Sequence, residues 1–192
     1  MPRTYEILAG IAALNPSVTH FLLRLYGKSP RPIAEPESGI RYEWLHKDSL
    51  QDLFLKIGEW QDEGFAVGLT SIVMTERGIQ YLLMLDYSLA PAPENEEELA
   101  AKLSTFNASG DVNYRMEGYL IQSNRSYHYI GKYVTTEENF INFLGSALLF
   151  RHTDQTGFVV DDRWIGHSLK KKFGTVRLGA KDGYYPRVIR EV

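Results

Sequence analysis

The chain contains no cysteine among its 192 residues. Disulfides, Cys-rich zinc sites and thiol nucleophiles are therefore excluded together, and this usage fits a cytosolic protein. Long apolar runs are missing as well. The opening MPRTYEILAGIAALNPS has one basic residue and a broken apolar stretch, unlike a membrane span or a signal peptide. A soluble, cytoplasmic protein with no membrane partner is expected. Nor is there an excess of positive charge: the net charge of −3 argues against a generic basic coat for nucleic acid. Several catalytic signatures are absent too. The sequence has no GxSxG, no GxxxxGK followed by Ser or Thr, no HExxH and no GxGxxG, which removes the standard marks of four enzyme classes.

What is present is ordinary in bulk and uneven in detail. A hydrophobic content of 44% with 23% charged residues is typical of a globular protein. The length suits one compact α+β unit with a small N-terminal extension. Residues 163–192 hold eight Lys or Arg against two acids, which leaves the first 162 residues at −9. A basic end of this kind suits local phosphate binding. It equally suits a solvated edge strand whose lysines discourage pairing.

The pattern of apolar residues predicts a short helix over 1–14 and a second, opened by Asn15-Pro16-Ser17, through Tyr26. Pro30, Pro32 and Pro36 make residues 28–38 an extended connection. A helix capped by Asp48 or Ser49 carries Leu50, Leu53, Phe54, Ile57 and Trp60, and ends at Gly64. Phe65–Met74 and Ile79–Asp86 then read as a hairpin. Asn95 and Glu98 cap a helix with Leu99, Leu103 and Phe106, followed by a loop over 107–113. Gly118–Val134 is a second hairpin, and Thr135-Thr136-Glu137-Glu138 launches a helix with Phe140, Phe143, Leu144, Ala147 and Leu148 on one face. A loop over 152–157 leads to Phe158–Asp161 and a short turn or helix through Leu169. Strands over Phe173–Leu178 and Tyr184–Arg190 close the chain. The expected class is α+β, an antiparallel sheet with helices segregated to one face. The expected division is a helical portion over 1–64 and a core over 65–192.

Five places could carry chemistry. Asp86 ends an apolar strand, where a buried carboxylate needs a cation, an Arg or backbone donors, or else caps the turn toward Pro91. Ser88 lies two residues on and shares its face if the strand continues. In the second hairpin, alternation points Ser126, His128 and Ile130 one way and Tyr127 and Tyr129 the other. Arg125 in its turn can clamp phosphate. Asp161 and Asp162 follow the apolar pair Val159-Val160, and Arg177 lies inside the strand FGTVRL with Phe173 and Thr175 on its face. Lys170, Lys171 and Lys172 read as a solvated loop. His152 and His167 have no ligand partners at close spacing. A triad from Ser126, His128 and Asp86 would lack both a nucleophile elbow and an oxyanion loop. Tyr184 and Tyr185 beside Arg187 are suited either to base stacking or to ordinary strand packing.

The order LLMLDYS, SYHYIG, VVDDRWIGHSL and FGTVRL resembles the archaeo-eukaryotic primase superfamily, the prim-pol catalytic core, over residues 65–192. That family carries D-x-D or D-x-E, then S-x-H, then an apolar residue followed by Asp. The resemblance implies a primase-like α+β core with Asp86 as the first acid. Ser126 and His128 would contact nucleotide phosphates, and Asp161 or Asp162 would supply the third acid. Arg177 is similar to a basic residue that some members place on a later strand. It also implies Mg²⁺ or Mn²⁺ on the acids, nucleotides and a DNA or RNA template as partners, and other replication or defence proteins. The departure is Ser88, where the family's first motif has its second acid and two-metal chemistry wants a bridging carboxylate. The expected function is nucleotide and nucleic-acid binding with metal-dependent nucleotidyl transfer. The alternative is a catalytically degenerate module that serves as a subunit or scaffold. A third reading makes these residues structural parts of an unrelated α+β protein.

Overall fold

The computed structural model describes residues 3–27, 39–108, 115–150 and 159–192. The proline-rich connection, most of the 107–113 loop and the loop over 152–157 lie outside the described residues. After a 3-10 turn at Thr4–Glu6, α1 spans Ile7–Leu14. The next element overturns an expectation. Residues 18–27 form not a helix but a strand, β1 (Val18–Gly27). Phe21, Leu23 and Leu25 are fully buried with α1 and α2, while Arg24 and Tyr26, on the opposite face, are only partly buried. That is the period of a strand. Asn15 opens no second helix but closes the first, as the C-cap of α1. Its amide donates to the carbonyls of Ile11 and Lys132 and its oxygen accepts from the Val134 amide, tying the end of α1 to the sheet.

β2 (Arg41–His46) pairs antiparallel with β1. A 3-10 turn at Lys47–Asp52 leads into α2 (Leu53–Asp62). The first expected hairpin is β3 (Phe65–Thr75) with β4 (Gly78–Asp86). After α3 (Pro93–Ala108) comes the second, β5 (Gly118–Gln122) with β6 (Tyr127–Thr135). Thr136 caps α4 (Glu137–Ala147) by accepting from the Asn139 amide. Asp161 does the same for α5 (Asp162–Lys171). β7 (Thr175–Arg177) and β8 (Arg187–Glu191) follow. Among the described residues, no helix is long and apolar enough to cross a membrane.

The strands form one antiparallel sheet, ordered β2-β1-β3-β4-β6-β5-β8, with β7 also on β3. The α+β class expected from the sequence is the one adopted. The helices, however, lie on both faces. Leu82, Met84 and Ile130 point into a core with α1 and α2, whereas Leu83, Leu85, Tyr127 and Tyr129 point into a second core with α3, α4 and α5. Residues 1–64 contribute two strands to this same sheet. Burial of those two cores is the main stabilising term, at roughly 25 cal/mol per Å² of apolar surface.

Candidate functional site

A fork in the sheet builds the site. One edge of β3 pairs with β4 over Ile72–Thr75 and with β7 over Gly68–Thr70. Ser71 stands between. Its amide donates to the Gly174 carbonyl at 2.9 Å, and its buried hydroxyl accepts from the Gly174 amide at 3.1 Å. Beyond the fork β4 leaves β3, and the space between β4 and β7 admits the segment before α5. A single bridge, Tyr87 to Val160, sets the register there. It puts Asp161 directly across from Asp86, and the Asp161 amide donates to the Asp86 carbonyl at 2.9 Å. On the other edge of β4, Asp86 is the register partner of His128. Arg177, opposite Gly68, flanks the fork on the β7 side. Three strands and the bridging segment before α5, all distant in sequence, thus bring Arg177, Asp161, Asp86 and His128 to one level of the sheet.

Their electrostatics follow from burial. His128 is 7% exposed and Asp86 25% exposed, with Nε2 3.3 Å from Oδ1. Burial first, and the Arg177 charge second, depress the imidazole from 6.5 to about 4. Burial and the facing Asp161 raise the Asp86 carboxyl from 3.8 to about 7, against the opposing pull of the Tyr87 amide, the Ser126 hydroxyl and Arg177. At neutral pH the contact is therefore a neutral imidazole beside a carboxyl whose charge burial disfavours, not a fixed ion pair. Asp86 Oδ1 and His128 Nδ1 are both buried without a hydrogen bond. Such groups are costly unless a ligand or ion completes them.

The other expected residues are placed differently. Asp162 is exposed at the first turn of α5 and accepts from the Arg163 amide. Of the two acids, Asp161 is the one brought to Asp86. Ser88 is exposed, and its hydroxyl donates to the Val159 carbonyl at 3.3 Å. Arg125 is exposed in the β5–β6 turn, beside Ser126. The Ser126 hydroxyl also lies 3.0 Å from that of Ser123. Among the described residues, no three His, Asp or Glu side chains converge closely enough to hold a metal. Two carboxyls with one orphaned oxygen fit a single Mg²⁺ or Mn²⁺, which binds through one or two carboxylates plus substrate phosphates. They do not fit a two-metal centre.

Two supporting residues escaped sequence reasoning. Trp164 donates from Nε1 to the Thr175 carbonyl at 2.9 Å and so holds α5 to β7. Gly68 gives β7 its close approach: a Cβ there would meet Thr175 Cγ2 at 2.6 Å and the Val176 carbonyl at 3.1 Å. Gly68→Ala should push β7 outward, carrying Arg177 with it. The expected cost is about 1–3 kcal/mol in urea unfolding.

A family model described as archaeo-eukaryotic primase 1D-like (AEP-like) matches residues 48–190 of the chain. Comparison with curated proteins gives no match.

Proposed function

The chain belongs to the archaeo-eukaryotic primase-like family, and from that premise we propose that it binds a nucleotide through its phosphates at Arg177, Ser126 and His128, with nucleic acid alongside. The observation that carries this reading is the level row Arg177, Asp161, Asp86 and His128 at the fork. Arg177 supplies the fixed positive charge. His128, held neutral by burial, can donate to a phosphate oxygen from one ring nitrogen. The facing carboxyls repel phosphate unless a proton or a cation neutralises them. Asp86 and Asp161 would hold one Mg²⁺ or Mn²⁺, which supplies charge neutralisation and polarisation of the phosphoryl group. In this role the protein is a primase-polymerase-type nucleotidyltransferase, and a cytoplasmic setting goes with it.

A specific observation favours a second reading. Ser88 stands where the family places an acid, and it faces solvent while bonded to Val159. The protein is then a nucleotide-binding module without polymerisation, acting as a subunit or scaffold.

Fluorescent-nucleotide titration tests the shared part. Binding should weaken at least about tenfold in Arg177→Ala and His128→Ala, since charge-assisted hydrogen bonds carry about 1.5–3 kcal/mol. No binding by folded protein, with or without Mn²⁺, would sink both readings. Primer extension on a single-stranded DNA template with Mn²⁺ and both nucleotide sets separates them. Extension that disappears in Asp86→Ala supports the transferase, whereas nucleotide binding with no extension supports the module.

A further inference from the structure

Two pockets adjoin at Tyr26, on the β2–β1–β7 side of the fork. One, of about 350 Å³, is lined by Arg24, Tyr26, His167, Lys171 and Phe173, among others. The other, of about 430 Å³, is lined by Tyr26, Arg177, Lys181 and Asp182, among others. Together they gather four Arg or Lys side chains and His167 against one acid, on a chain whose net charge is −3. This is a local basic track on an acidic body; Lys172 lies outside the two linings, bonded to Glu137 at 2.9 Å.

Aromatic rings accompany the charges. The Arg24 guanidinium lies 5.7 Å over the Tyr26 ring. Phe173 meets Tyr42 edge to face at 6.1 Å. Tyr42 and Trp44, two residues apart on the edge strand β2, are 39% and 44% exposed. They share a face with Arg24 through the register Arg24 to Tyr42 and Leu22 to Trp44. Cations with rings at their side match a single nucleic-acid strand, whose backbone is held by charge and whose bases stack. A double helix offers no free base faces to such rings.

We infer that these two pockets and the exposed β2 aromatics form a track for single-stranded nucleic acid that runs past Tyr26 to Arg177. This rests on the primase-like reading by naming where the strand lies relative to the nucleotide site. The two fail separately, because Lys171, Lys181, Tyr26 and Tyr42 lie outside the Asp86–His128 pair.

The test is fluorescence anisotropy with labelled 20-residue oligo-dT and oligo-U, a duplex competitor and a salt series. Lys171→Glu with Lys181→Glu should lower single-strand affinity at least tenfold at low salt and flatten the salt dependence by about two phosphate contacts. Tyr26→Ala and Tyr42→Ala should each lose roughly tenfold at every salt concentration, the scale of one stacked base. Mononucleotide binding should be unchanged in Lys171→Glu and Tyr42→Ala. Arg77→Glu, in the turn at the far end of β3, should bind the strand like the parent. Equal losses in Arg77→Glu, or preference for duplex, would overturn the track. So would absent strand binding by folded protein that still binds mononucleotide. Loss of mononucleotide binding in the parent protein counts instead against the nucleotide site.

Discussion

Asp86→Asn is expected to stabilise the metal-free protein at pH 8, on the order of 2 kcal/mol, or a Tm rise of roughly 4–8 °C, while removing any metal-dependent transfer. The direction comes from linkage. A carboxyl raised from 3.8 to about 7 by burial and Asp161 binds its proton more tightly in the folded state. Its contribution is present below about pH 4, falls as pH rises, and is lost above about 7. His128, depressed from 6.5 to about 4, contributes in the opposite sense. Its share is present above 6.5 and is lost as pH falls toward 4. Between pH 4 and 6.5 the two slopes oppose each other. Asp86→Asn should therefore show stability that climbs with pH across that window, and His128→Gln stability that declines. Urea unfolding in chelator-treated buffer at several pH values reads both. Slopes of one sign in the two variants, or no gain at pH 8, would refute the assignment.

Gly118→Ala should cost about 3 kcal/mol or more and leave much of the protein unfolded at 37 °C. A Cβ at this position would sit 2.4 Å from Tyr129 Cε2 and 2.6 Å from the Ile130 carbonyl. Neither can yield. Tyr129 is fully buried and its hydroxyl donates to the Met116 carbonyl at 2.7 Å. Gly118 itself is fixed by exchanging two hydrogen bonds with Val192. The neighbouring residue of Tyr129 is His128, so any survivor should also lose nucleotide affinity. Gly58→Ala in α2 is the comparison, since nothing lies within 4 Å of a Cβ there. It should stabilise by about 0.5–1 kcal/mol. Similar melting curves for the two alanine variants would show that the packing around Gly118 can relax.

Both hairpins and the Thr136 cap were legible in the sequence because each is set by local chemistry: turn residues, alternation and a side-chain oxygen. β1 was not. Phe21, Leu22, Leu23 and Leu25 satisfy a helical spacing as readily as a strand, and Asn15 before Pro16 imitates an N-cap although it works as a bracket to β6. The alternation of Arg24 and Tyr26 with buried leucines was the available signal, and it also held the rings and charges of the track. The candidate site was readable only as residue types, among them Asp86, Ser126, His128 and Arg177. What could not be read was their register. Asp161 and Asp162 are neighbours in an identical local setting, and only the Tyr87–Val160 bridge decides which one faces Asp86.

The fork has a kinetic consequence. β7 reaches β3 from more than a hundred residues away in sequence, so its docking closes one of the longest loops in the chain, and contacts of that separation form late. Until it docks, the Asp86 strand can pair with β6 through nearby residues, but the opposing guanidinium is missing. The protein should pass through a state whose sheet is largely formed and whose anion-binding charge is not yet in place. Refolding followed by nucleotide fluorescence should then lag behind refolding followed by circular dichroism.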